Sequence, residues 1–302
     1  MNLFYKSICL FSVFLSLTSC QEGGKQGEKK DDILSGEINV LVDETVLPIV
    51  LEQKEVFESS YYNAKINLVA KPEVQAVNSL ISGDASLIIL SRELSADEKK
   101  SFEQRQITPR IYSVAYDAVV LVGGLDRDST IKSSDVVDLL KGVSGINSRL
   151  VIDNPNSSLV RYFRELGKID KIANNNILLK ESATEVLNTV ADGSGNIGLL
   201  SYNQYLSLER LFSKKDKIRI LSVLNDTLVT PKYVKPTQAS LSTGEYPLRR
   251  ELKILNYQPN LGLGMGFSAF LTGDRGQRIV LKSGLLPAKM PGREIIIRNN
   301  IN

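Results

Sequence analysis

Three short, nearly unbroken apolar runs, residues 38–42 (INVLV), 65–70 (KINLVA) and 87–90 (LIIL), constrain this chain more than any other feature. A strand that is apolar on both faces must be covered on both faces, as strands are in a parallel sheet flanked by helices. Each run is followed by a helical pattern. Asp43-Glu44-Thr45 offers an N-cap, after which Val46, Ile49, Val50, Val56 and Phe57 fall on one face at helical spacing. Residues 73–82 make the second pattern, with Val74, Val77 and Ile81 expected on its inner face and Gly83 as its stop. Ser95 opens the third, with Glu98 three positions later in the spacing of a capping box. Three strand-helix units in succession predict an α/β fold.

Residues 118–122 (AVVLV) begin new strand material just after Tyr116-Asp117, and shorter units follow. These are helix 134–141, strand 149–152, a helix from Ser157, helix 183–191, strand 196–200, helix 202–212 and strand 217–223. Residues 222–244 cross Pro231 and Pro236 with little periodicity and read as a linker. The chain then supplies strand 246–257, a helix about 267–271, a helix from Arg275 closed by Gly284, and a last strand 294–298. A chain that builds one lobe, then another, and returns to the first crosses twice. Two crossings make a hinge with a cleft between the lobes. The expected limits are 37–116 with 240–302 for the first lobe and 117–239 for the second.

Ahead of this body lies a different kind of segment. Lys6 precedes an apolar stretch, residues 8–17 (ICLFSVFLSL), of signal-peptide rather than membrane-spanning length. Leu17-Thr18-Ser19-Cys20 then resembles a lipobox, which implies cleavage after residue 19 and a lipid on Cys20. An ordinary secretory signal with an incidental cysteine is the plainer alternative. Residues 21–32 (QEGGKQGEKKDD) are too polar and Gly-rich to pack, so 20–36 reads as a tether. Gln21 stands where an aspartate commonly retains lipoproteins at the inner membrane, which favours the outer membrane and a periplasm-facing body.

Composition excludes several classes of function. The chain carries 37 Lys and Arg against 34 Asp and Glu with no basic run beyond Lys29-Lys30, a balance that does not suit a nucleic-acid partner. It has no histidine, and its two cysteines are Cys9 and Cys20. The body therefore has no disulfide, no Ser-His or Cys-His pair and no imidazole ligand for a metal. No cofactor is implied.

Five further segments, taken in order, resemble the phosphate-type periplasmic substrate-binding proteins of ABC transporters. They are residues 83–94 (GDASLIILSREL), 115–120 (AYDAVV), 196–199 (NIGL), 246–250 (YPLRR) and 273–288 (GDRGQRIVLKSGLLPA). The resemblance implies a two-lobed binding-protein fold with two hinge crossings. It further implies a cleft in which main-chain N–H groups at helix starts, together with hydroxyls, hold a small anion, phosphate above all, for an ABC-type permease or another envelope complex. On this alignment the ligand-binding candidates are Glu44 and Thr45 in the first loop, Ser91 and Arg92 after the third strand, and Asn156, Ser157 and Ser158 before the helix bearing Leu159, Tyr162, Phe163 and Leu166. Read without the alignment, Asn154-Pro155-Asn156-Ser157 is a turn with a helix cap.

The departures from the family pattern all fall on the ligand. Asp153 stands where an arginine is usual, Ser86 where an aspartate is usual, Leu159 where a threonine is usual, and Glu44 where a hydroxyl is usual. Arg92 or Lys71 could restore positive charge, or could pair with Glu93 or Glu73. A second reading is therefore an accessory or sensing lipoprotein that keeps the fold and has lost the ligand. A third is an acyl-transfer enzyme, because Ser129-x-x-Lys132, Ser201-x-Asn203 and Lys282-Ser283-Gly284 match a known pattern. Ser129 lies in a polar loop and Lys282 at a helix end where such enzymes need a strand, so the chain is read as a non-enzyme. Gly262-x-Gly264-x-Gly266 lacks the final spacing of a dinucleotide fingerprint.

Overall fold

The fold is given by a computed structural model, and the residues described are 32–145 and 147–292. Cys20, the tether before residue 32 and the expected last strand 294–298 lie outside them. In chain order the elements are β1 (Gly36–Asp43), a 3-10 turn (Glu44–Val46), α1 (Leu47–Ser60), β2 (Ala64–Lys71), α2 (Glu73–Ser82), β3 (Leu87–Leu90), α3 (Ala96–Gln104) and β4 (Arg110–Gly124). There follow β5 (Thr130–Ile131), α4 (Ser133–Lys141), β6 (Leu150–Ile152), α5 (Ser158–Gly167), β7 (Ile177–Leu179), α6 (Ala183–Ala191), β8 (Ile197–Ser201) and α7 (Tyr202–Glu209). The chain continues through β9 (Ile218–Ile220), β10 (Ser222–Asn225), β11 (Lys232–Val234), α8 (Gln238–Ser242), β12 (Arg249–Asn256), α9 (Leu263–Thr272), α10 (Asp274–Ser283) and β13 (Leu286–Pro287).

Residues 40–42 and 87–90 are buried on both faces, whereas the run 65–70 forms the edge strand of the sheet, is only partly covered and leaves Lys65 and Ala70 exposed. Val40, Val42, Leu87 and Ile89 enter one core cluster with Phe57, Phe267 and Leu271. Leu41, Ile88 and Leu90 point the other way, against Ala76, Leu80, Phe102 and Tyr257. Covering both sides is what permits an unbroken apolar strand. β1 pairs in parallel with β2 and β3, and the sheet runs β2-β1-β3-β12-β4-β8-β6-β7, with β9 and β13 also paired to β4. The helices end where the sequence predicts: Gly83 and Gly284 sit at φ 92° and 95°, a left-handed conformation that costs a residue with a side chain about 1 kcal/mol or more. The capping box forms as well, Ser95 N donating to Glu98 Oε2 at 2.7 Å and Glu98 N to Ser95 Oγ at 3.3 Å.

Between the two halves of the sheet runs β4, a single 15-residue strand rather than new material starting at residue 118. Over residues 110–118 it is antiparallel to β12, and from 119 onward it turns its edge to β8 and β9. A third cluster, with Val119, Leu121, Leu150, Phe163, Leu187 and Leu199, fills the second half. This is the mixed α/β, two-lobed architecture expected from the sequence.

Local expectations needed three corrections. The strand expected over 217–223 breaks at Leu221, β9 joining the main sheet and β10 a small sheet with β5 and β11. The stretch read as a linker contains the β10–β11 antiparallel pair and α8. Runs of three or four residues carry too little periodicity to be seen in sequence. On α2, Val74 is half exposed while Glu73 is buried. Ion pairs with residues distant in sequence, described below, account for that inversion.

Candidate functional site

The 3-10 turn after β1 brings Thr45 to the seam between the lobes, and the start of α5 brings Ser158 to the same place from the other side. Their hydroxyl oxygens are 3.0 Å apart across 113 residues of sequence. Ser157 caps α5, its Oγ accepting from Val160 N at 3.4 Å, so the helix-cap reading of this loop is realised. The cap is also buried at the seam rather than displayed on the surface. Ser201, at the end of β8, closes the group by donating from Oγ to Thr45 O at 2.7 Å.

Into the middle of these hydroxyls reaches Arg250 from β12. Its Nη1 donates to Ser158 Oγ and its Nη2 to Thr45 Oγ1, each at 3.0 Å. Nε and Nη2 both donate to Asp117 Oδ2, at 2.9 and 2.7 Å. Arg250 and Asp117 are direct cross-strand partners on β12 and β4, so this strand pair delivers the ion pair to the seam. Asp117 Oδ1 accepts from Asn203 N at 3.0 Å. Asp43 completes the cluster, accepting from Thr45 N at 3.0 Å and from Thr45 Oγ1 at 3.1 Å. Its side chain is fully enclosed, and burial raises its carboxyl above the usual range although Arg250 opposes the shift.

Of the other residues singled out in the sequence, Glu44 sits at the rim, where its Oε1 accepts from Asn154 Nδ2 of the opposite lobe at 2.9 Å. Burial, then the neighbouring Asp153 and Asp43, push its carboxyl up to about 7 against the pull of Asn154. Burial likewise raises Asp153. Asn156 is exposed, and its N–H donates to Asn154 Oδ1. Arg92 is committed elsewhere: Nε donates to Glu73 at 2.7 Å and the guanidinium grips Glu98 with bonds of 2.7 and 2.9 Å. Lys71 donates to Ser79 Oγ at 2.6 Å. Ser91 lies 3.4 Å from Arg161 Nη2, and Arg161 on α5 also meets Glu73, Nε lying 2.6 Å from Oε1. The structure thus gathers Thr45, Ser157 and Ser158 at one point and places Ser91 and Arg92 in a separate ion network on the same seam.

Sequence reasoning missed Arg250, Asp117 and Asp43 as members of the site. One signal was available: in RRELKILN the period-2 alternation puts Arg250 in phase with Leu252 and Ile254, both buried. An arginine and an aspartate in phase with core positions need each other as partners.

The arrangement places hydroxyls from opposite lobes on one buried guanidinium. A PBP superfamily domain matches residues 27–275, and the chain belongs to that superfamily. The phosphate-binding protein PstS of Staphylococcus aureus is 25% identical over 256 residues, a match covering 80% of this chain and 73% of the relative. Among solved structures, an ABC-type phosphate transport receptor from Vibrio cholerae overlays with a TM-score of 0.64 at 16% identity, covering 82% of this chain and 99% of that one. PstS from Borrelia burgdorferi overlays at 0.53 and 21% identity, covering 85% and 100%. The resemblance to phosphate-type substrate-binding proteins holds at the level of family and fold.

Proposed function

We propose that the chain is a lipid-anchored binding protein that closes its lobes over a small oxyanion, phosphate being the ligand, and hands it to an ABC-type permease from the periplasmic side of the envelope. Cys20 is the anchor in this reading, and the lobes divide at residues 116/117 and 239/240. The observation that carries the proposal is the meeting of Thr45 and Ser158 on the buried Arg250 guanidinium. An oxyanion entering the seam would replace the two hydroxyl oxygens as acceptors for Arg250 and free both hydroxyls to donate. Next to them, the N–H groups of the first turn of α5 favour negative charge. The names of the relatives support phosphate as the ligand.

A second reading is favoured by one specific observation. Arg250 already donates to Asp117, Thr45 and Ser158, while Asp43, Glu44 and Asp153 bring carboxylates where an anion prefers cations. A chain satisfied in this way would be an accessory or sensing lipoprotein with no ligand of its own. Isothermal titration of the full chain with phosphate and with sulfate separates the two. Binding of phosphate, weakened tenfold to a hundredfold in Ser158→Ala by loss of a charge-assisted bond of roughly 1.5–3 kcal/mol, upholds the first. Flat titrations of the unaltered protein with both anions overturn it and leave the second.

A further inference from the structure

Glu44 and Asp153 stand on opposite lobes, at the ends of β1 and β6, and the bond from Asn154 Nδ2 to Glu44 Oε1 ties them together across 110 residues of sequence. No lysine or arginine among the described residues lies within ion-pair distance of either carboxylate. Around Glu44, Asp43 on β1 and Asp153 after β6 are acidic. Arg250 on β12 is held by Asp117 of β4 at 2.7 Å. Arg161 on α5 is held by Glu73 and Glu165. Two carboxylates therefore share this rim with no cation within ion-pair distance, and the bond that holds Glu44 there comes from the other lobe. Opening the hinge would part them and return each to water.

We propose that closure of the cleft takes up a proton at Glu44, so that the lobes close more readily as the pH falls and the rim of the site becomes a hydrogen-bond donor instead of a fixed negative charge. The rise of the Glu44 carboxyl from 4.5 to about 7 on burial beside Asp153 agrees with this geometry. The sign follows from where each form binds the proton. Below about 4.5 both forms are protonated and closure carries no penalty; through the window up to about 7 the closed form alone holds the proton; above it closure has to bury a carboxylate. For ligand capture the proposal rests on the anion-binding reading, and there it means that an oxyanion arrives together with about one proton.

Two measurements on the full chain test the inference. The first needs no ligand: the melting temperatures of wild type and Glu44→Gln are compared across the acid-to-neutral range. Glutamine keeps the acceptor for Asn154 without the charge, so its advantage over wild type should be small near pH 4.5 and should grow up to about pH 7. An advantage that is constant with pH overturns the proposal. The second titrates inorganic phosphate calorimetrically near pH 6 and near pH 8, in two buffers of different ionisation enthalpy. Relative to Glu44→Gln, which cancels the titration of phosphate itself, wild type should gain about tenfold in affinity at the lower pH and take up about one additional proton. Equal pH dependence in both proteins overturns the proposal. Absence of phosphate binding at every pH would count against the ligand reading alone, the melting comparison then deciding the fate of Glu44.

Discussion

Replacing Arg250 by methionine removes the group that joins Asp117, Thr45 and Ser158 in the buried cluster. Four bonds go: those to Asp117 Oδ2 at 2.9 and 2.7 Å, and those to Thr45 Oγ1 and Ser158 Oγ at 3.0 Å. Counting each at the roughly 1.5–3 kcal/mol of a charge-assisted bond would overshoot, because the two hydroxyls, already 3.0 Å apart, can bond each other and Asp117 keeps Asn203 N. The better guide is the cost of stripping one partner from a buried ion pair, about 3–5 kcal/mol, since Asp117 has no exposed surface through which water could replace the guanidinium. At about 2–4 °C per kcal/mol for a domain near this size, the melting temperature should fall by roughly 10 °C. Chemical denaturation of wild type, Arg250→Met, Asp117→Asn and the double variant measures the pair directly. Both single variants should be strongly destabilised and the double much less so than their sum. An Arg250→Met protein within about 1 kcal/mol of wild type, or a strictly additive double variant, would refute the claim that this pair organises the hinge.

Two further outcomes can be checked with single substitutions. Cys20→Ala should abolish incorporation of labelled palmitate into the protein, and unchanged labelling would end the lipobox reading. Gly276→Ala, at the start of α10, would drive its methyl group into the carbonyl oxygens of Phe270 and Leu271, the latter only 2.7 Å away. Backbone cannot yield there as a flexible side chain would, so the variant should lose about 1–3 kcal/mol in denaturant unfolding, and a neutral result would contradict the close approach of α9 and α10.

How much of this was legible in the sequence depends on the range of the interaction concerned. The strands at 38–42 and 87–90, the helix at 183–191 and the glycine stops at Gly83 and Gly284 are set by neighbours within a few residues, and all appear where the pattern puts them. Glu73 shows where that reach ends. Its pairing with Arg92, 19 residues away, is one of the options the sequence offers, but Arg161, 88 residues away, is announced by no periodicity on α2. Leu159 is a related case. The alignment sets it on a ligand-binding threonine, yet it is 1% exposed and packed in the core of the second lobe, where its apolar side chain belongs.

The same contrast bears on how charge is distributed in the cleft. In the family pattern that the sequence resembles, the arginine precedes the donor loop and so travels with one lobe; here that position is Asp153, and the positive charge at the seam belongs to Arg250 on β12. Arg250 faces its partner Asp117 directly across the β12–β4 strand pair. The cation and its counter-ion sit on one strand pair, whereas Thr45 and Ser158 come to it from the turn after β1 and from α5. The contacts that join the two lobes are the hydroxyl bonds at 3.0 Å, the Glu44–Asn154 bond at 2.9 Å and the Arg161–Glu73 ion pair. Of these, the Glu44 contact is the one built on a carboxyl displaced toward neutral pH, which is why the proposed proton uptake is assigned to it.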